Sequence, residues 1–146
     1  MRYIIAACLL IGFLAPLPKD NQDGAYNGTS RLAWCRTDAA CIHEVAHALD
    51  QQAGWVSSSD EFYKALQMYL YTEIYSKGIT ELPASILEIT YRGEGGNAKR
   101  EIYAFIFQYA NGNPDNVPES LRGFYDWQKA GKLLLKLDDS KIYWMN

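Results

Sequence analysis

The chain has 146 residues, 49% of them hydrophobic, which suits one domain with its own core and is too apolar for a disordered segment. Its net charge is −3, with 14 Lys and Arg against 17 Asp and Glu and no basic stripe or run. Nucleic acid is therefore not an expected partner.

At the start, Met1-Arg2 precedes an apolar run over residues 3–17 that closes on Pro16-Leu17-Pro18. One positive charge and roughly a dozen apolar residues match the layout of a secretory signal peptide, and the run falls short of the about 20 apolar residues of a spanning helix. Residues 1–18 are read as a signal peptide or an N-terminal membrane anchor, 19–28 as a linker and 29–146 as the folded domain. A buried N-terminal helix or strand is the alternative. The expected location is secreted, periplasmic or membrane-tethered on the extracytoplasmic side. If Cys8 leaves with a signal, Cys35 and Cys41 remain, either as a disulfide suited to an oxidising compartment or as two buried thiols.

Further along, residues 30–34 read as a short strand or as the first turn of the next element. Thr37 or Asp38 is a good N-cap for a helix that passes through His43 and His47 and stops at Gly54. Asp60 caps a second helix over residues 61–77, with Phe62, Leu66, Tyr69, Leu70 and Ile74 at helical spacing and Gly78 at its end. Pro83 opens a shorter helix through Leu87, and Gly93, Gly95 and Gly96 mark a loop. A fourth helix spans about residues 98–110. A fifth starts at Pro118-Glu119 and ends near Gly131, and residues 133–137 and 142–144 alternate enough to allow a small hairpin. The expected fold class is mainly α, an α+β fold with a small or vestigial sheet.

The residues that carry chemistry are His43-Glu44-Val45-Ala46-His47, the pattern H-E-x-x-H on a helix, and these are the chain's two histidines. Side chains four apart share one helix face, so both imidazoles reach a single ion at about 2.0–2.1 Å. Neutral imidazole suits zinc, and three protein ligands leave a position for water. Glu44 projects beside the pair and is placed to take a proton from that water and return it to a leaving amine. The bland alternative is two surface histidines beside a glutamate. Asp50, on the same face, either holds a ligand imidazole from behind or caps the helix end. For a third ligand the choice is Glu101, the carboxylate in the apolar run 100–109, since a buried charge needs a partner or a cation. It competes with its own reading as a solvated first-turn glutamate, and with Glu73, Glu81 and Glu88.

With these residues in view, the chain resembles the zincin metallopeptidases of the gluzincin type. It is closest to the anthrax lethal factor-like group, which includes the Pro-Pro endopeptidases. That group's first motif typically reads H-E-x-G-H-A-x-D, and here it is His43-Glu44-Val45-Ala46-His47-Ala48-Leu49-Asp50, with Ala46 in the glycine's place. Its second, a glutamate followed closely by alanine and aromatics, is resembled by Glu101-Ile102-Tyr103-Ala104-Phe105-Ile106-Phe107-Gln108-Tyr109. The likeness covers about residues 35–109. It implies a zincin-like fold, zinc held by His43, His47 and Glu101, Glu44 as catalytic base, and a peptide or protein as substrate. Members also carry an oxyanion-stabilising tyrosine shortly before the glutamate ligand. Here the nearest is Tyr91, beyond the glycine loop and further off than usual. The sheet edge on which zincin substrates pair has only residues 30–34 or the C-terminal tail to supply it. Two readings are open: a zinc-dependent endopeptidase, or a non-catalytic accessory subunit that keeps the fold and binds a partner.

Overall fold

The computed structural model describes residues 23–92, 97–135 and 137, and the backbone of 142–144. The expected signal or anchor, the first part of the linker and the glycine loop at 93–96 lie outside these residues.

Strands β1 (Gly24–Asn27), β2 (Leu32–Cys35) and β3 (Ile142–Trp144) form one antiparallel sheet in the order β1-β2-β3. Ala25 sits opposite Trp34 across the first pair, and Trp34 opposite Ile142 across the second. The β1–β2 turn is held by the Asn27 carboxamide, whose Oδ1 accepts from the Thr29 and Ser30 amides at 2.9 and 3.1 Å. Asparagine does this because its side chain mimics a backbone acceptor. Residues 24–27 are thus a strand rather than linker. The central strand occupies 32–35 rather than the expected 30–34, because Leu32, Ala33 and Cys35 are the residues that bury there.

Helix α1 (Asp38–Gln52) begins at Thr37, whose hydroxyl accepts from Ala40 N at 3.1 Å. A Cys35–Cys41 disulfide ties the end of β2 to its first turn. Its buried residues include Cys41, Ile42, Val45, Ala46, Ala48 and Leu49, so it is enclosed on several sides. It lies against the sheet and against α4 (Ala98–Tyr109), which buries Ile102, Tyr103, Ala104, Ile106 and Phe107. Each large apolar side chain so enclosed contributes about 1.5–3 kcal/mol. A short 3-10 turn (Val56–Ser58) leads into α2 (Asp60–Lys77), capped by Ser59 rather than Asp60, since the Ser59 hydroxyl is the group that accepts from Phe62 N.

Three further expectations are corrected. Helix α3 spans Glu81–Arg92, not 83–87. Pro83 falls in its first turn, where no amide hydrogen is required, and a Glu88–Arg92 ion pair supports its last. The expected fifth helix is two, α5 (Glu119–Arg122) and α6 (Trp127–Leu134). Between them, Asp126 recaps the chain by accepting from Lys129 N, and the Tyr125 hydroxyl donates to the Tyr103 carbonyl at 2.9 Å. In the tail, Leu133 and Leu134 belong to α6 rather than to a hairpin strand, with Leu133 buried there, and β3 pairs with β2. The architecture is mainly helical with a small sheet. Among the described residues no helix is long and apolar enough to cross a membrane.

Asp50 ends up fully buried on α1, accepting from Ser57 N at 2.8 Å and from the Ser57 hydroxyl at 2.5 Å. It pins the turn after the helix instead of reaching an imidazole. Asp50→Ala would leave both Ser57 donors buried and unpaired, an expected loss of about 3 kcal/mol in unfolding free energy. Urea denaturation checks this, and a loss under about 1 kcal/mol would deny the pair its structural weight.

Candidate metal centre

Four-residue spacing places His43 and His47 on one face of α1, with ring centroids 4.8 Å apart. From the first turn of α4, Glu101 meets both: Oε2 lies 3.2 Å from His43 Nε2 and Oε1 lies 3.3 Å from His47 Nε2. Ligand atoms on all three fall within 4.8 Å of one another. Tetrahedral ligands at zinc distances stand about 3.3 Å apart, and each Glu101 oxygen stands near that separation from one imidazole, Oε2 from His43 and Oε1 from His47. Two imidazoles and one carboxylate also form a donor set that zinc accepts. The residues fit the ion.

Behind His43, Nδ1–H donates to Gln108 Oε1 at 2.9 Å. Gln108 is seven residues beyond Glu101, hence on the same face of α4. It turns Nε2 toward Glu101, the orienting task that Asp50 does not perform.

The charges answer to this geometry. Burial disfavours the charged imidazole of His43, but hydrogen bonding to Glu101, the charges of Glu44 and Glu101, and Gln108 outweigh it and raise its pKa above 6.5. The hydrogen bonds from His43 and His47 hold Glu101 far below the ordinary carboxylate range, overcoming its burial. In the metal-free protein, the Glu101 contribution to stability is complete above pH 4.5 and lost as pH falls through its lowered pKa. The His43 contribution is complete below pH 6.5 and lost as pH rises through its raised one. A cation must displace the His43 proton but finds Glu101 already ionised. Zinc affinity is therefore expected to be level above the raised His43 pKa and to fall by about tenfold per pH unit for each proton displaced below it. Competition titration with a chelating dye across pH 5–8 checks this, and an affinity independent of pH would contradict it.

Glu44 is only 5% exposed and lines the same cleft. Burial lifts its pKa, with the two imidazoles partly offsetting the rise and Glu101 adding to it. Its carboxylate lies against strand β1. A Cβ on Gly24 would stand 2.9 Å from Glu44 Oε1 and 3.1 Å from the Trp34 carbonyl oxygen, closer than such contacts normally come.

The cleft measures about 770 Å³. Gly24, Ala25 and Tyr26 of β1 form one wall. Gln51, two turns beyond His43 and Glu44 on α1, fastens that wall by donating to Gly28 O and accepting from the Tyr26 hydroxyl at 2.6 Å. Tyr91 does not take part. It projects from the far end of α3, 92% exposed, and does not line the cleft, because α3 runs on past Leu87 and carries it outward. The rival carboxylates are occupied elsewhere: Glu73 with Lys77, Glu88 with Arg92, and Glu81 near the Tyr109 hydroxyl.

Sequence reasoning missed the β1 wall, Gln51 and Gln108. The Asn27-Gly28 turn signal pointed to a strand before it, and the seven-residue step from Glu101 pointed to Gln108. No protein-family model, curated protein or solved structure matches this chain.

Proposed function

We propose that this protein is a zinc-dependent peptidase with a zincin-like fold. The observation that carries the reading is the meeting of His43, His47 and Glu101, with ligand atoms within 4.8 Å of one another and the buried Glu44 carboxylate in the same cleft. His43 and His47 would hold the ion and Glu101 would supply the third ligand, with Gln108 fixing the His43 ring. Zinc, when bound, contributes Lewis acidity, polarising a peptide carbonyl and making a water beside it more acidic. Glu44 takes the water's proton and delivers it to the leaving amine, a task suited to a carboxylate whose pKa burial has raised.

An extended peptide has a place to lie. Strand β1 is terminal in the sheet, and among the described residues no strand pairs with its other edge. Gly24, Ala25 and Tyr26 line the cleft, so a substrate strand pairing there by backbone hydrogen bonds runs past the metal ligands. The Cys35–Cys41 disulfide supports an extracytoplasmic location. The non-catalytic reading gains nothing from this arrangement, since a purely structural metal site needs no base.

The direct test loads the protein with one equivalent of zinc and incubates it with a degenerate peptide pool read by mass spectrometry. Expected are one zinc per chain by elemental analysis, cleavage that chelation abolishes and zinc restores, and sharply weaker zinc retention in Glu101→Ala. Zinc binding with no cleavage in any peptide would overturn the peptidase reading.

A further inference from the structure

The geometry points to a carboxylate-binding subsite at Arg100, so that substrates of the proposed peptidase carry a negative charge at one end of the cleft. This inference rests on the peptidase reading and adds to it the class of peptide bound.

Among the described lining residues, Arg100 is the one lysine or arginine, in a cleft that otherwise carries the acidic groups Asp23, Glu44 and Glu101. Its guanidinium carbon sits 3.7 Å from the centroid of the Trp55 ring, which also lines the cleft. A guanidinium held flat on an indole keeps its in-plane N–H groups for other partners while losing little rotamer freedom on binding. Among the described residues those partners are not supplied. Among the described residues Arg100 enters no ion pair, and its buried Nε has no acceptor.

The platform is itself fixed. Trp55 has φ of 64°, a conformation that non-glycine residues seldom adopt, and its amide donates to the Asp50 carbonyl at 2.7 Å. The Asp50 carboxylate meanwhile clamps Ser57 two residues on. A strained aromatic held from both sides beneath an arginine is a preorganised receptor for a planar anion, and carboxylate matches the guanidinium fork with two parallel hydrogen bonds. In sequence Arg100 directly precedes Glu101, so the subsite lies at a short, constant distance from the metal ligands. The carboxylate comes from an acidic side chain or from the peptide's own C-terminus, and the chemistry at Arg100 is the same for both.

The test measures binding rather than turnover, using zinc-loaded Glu44→Gln protein and calorimetry. Hexapeptide pools with one fixed glutamate are compared with pools carrying glutamine there, and free C-termini with amidated ones. A gain of about tenfold to a hundredfold for the charged member of one pair is expected. The pair that responds identifies the source of the carboxylate. Arg100→Ala should erase the gain and Arg100→Lys keep part of it, which separates recognition from a general loss of structure. Equal binding of charged and neutral peptides by the otherwise intact protein overturns the subsite and leaves the peptidase reading standing. Binding of no pool at all removes both.

Discussion

Glu44→Gln is expected to reduce peptide cleavage by about 10²–10⁴-fold while the protein keeps its full equivalent of zinc. The size reflects what the substitution removes. Glutamine has the shape of glutamate and still accepts a hydrogen bond, so the cleft remains filled. It cannot take up a proton at pH 7. The loss should fall on kcat rather than KM, because Glu44 is not among the groups that hold the ion or form the strand wall. Burial of the carboxylate, 5% exposed beside two imidazoles, suits a base that must be ionised at rest yet willing to accept a proton in turnover. The measurement is kcat and KM on one cleaved peptide, with zinc content determined on the same preparation. Turnover within about threefold of the unsubstituted protein would remove Glu44 from the chemistry.

Much of this site was legible in the amino-acid sequence because its core is local. Two histidines four apart need only a helix to share a face, and Thr37, with the apolar pattern after it, specifies that helix. Glu101 was legible for a related reason, as a charge in an otherwise apolar helical run. What escaped prediction depends on pairings between distant segments. Strand β1 has four residues with no long alternating pattern, and it is a strand because β2 offers hydrogen bonds and Gln51 fastens its turn to α1. Residues 142–144 were recognisably strand-like, but no local signal distinguishes a partner ten residues away from one more than a hundred away. Tyr91 failed differently. The family likeness assigned it a task as the nearest tyrosine before Glu101, whereas the continuation of α3 leaves its ring exposed to solvent.

These long-range pairings build the cleft around the local motif. Helix α1 gives one stripe of side chains, His43, Glu44, His47 and Gln51, at steps of one, three and four residues. The disulfide secures the start of that helix to β2, and Gln51 secures its end to the β1 turn. Strand β1 is thereby held over the stripe at both ends. Helix α4 contributes Glu101, Gln108 and Arg100 from the opposite side. The candidate ligands His43, His47 and Glu101, the Glu44 carboxylate and the strand edge therefore share three elements, as precise positioning requires.

Gly24→Ala should show how closely that assembly is fitted, with an expected loss in kcat of about 10²-fold and zinc affinity unchanged. Nothing in the Gly24 backbone calls for glycine by itself, since it does not have positive φ. The requirement is spatial. The added methyl would sit 2.9 Å from Glu44 Oε1 and 3.2 Å from its Cγ, with the Trp34 carbonyl at 3.1 Å closing the other side. Backbone on one side leaves the Glu44 side chain as the part able to move. A shift of about 1 Å in a group that must meet a water's proton is enough to cost about 10²-fold. None of the three atoms nearest the new methyl belongs to His43, His47 or Glu101, so metal binding is expected to persist. Parallel determination of kcat, zinc affinity and melting temperature separates the outcomes. Lost turnover with zinc affinity kept assigns Gly24 the task of leaving room for the base. Equal loss of turnover and zinc would mean that β1 holds the whole centre together, and unchanged turnover would show that Glu44 works as well from a displaced position.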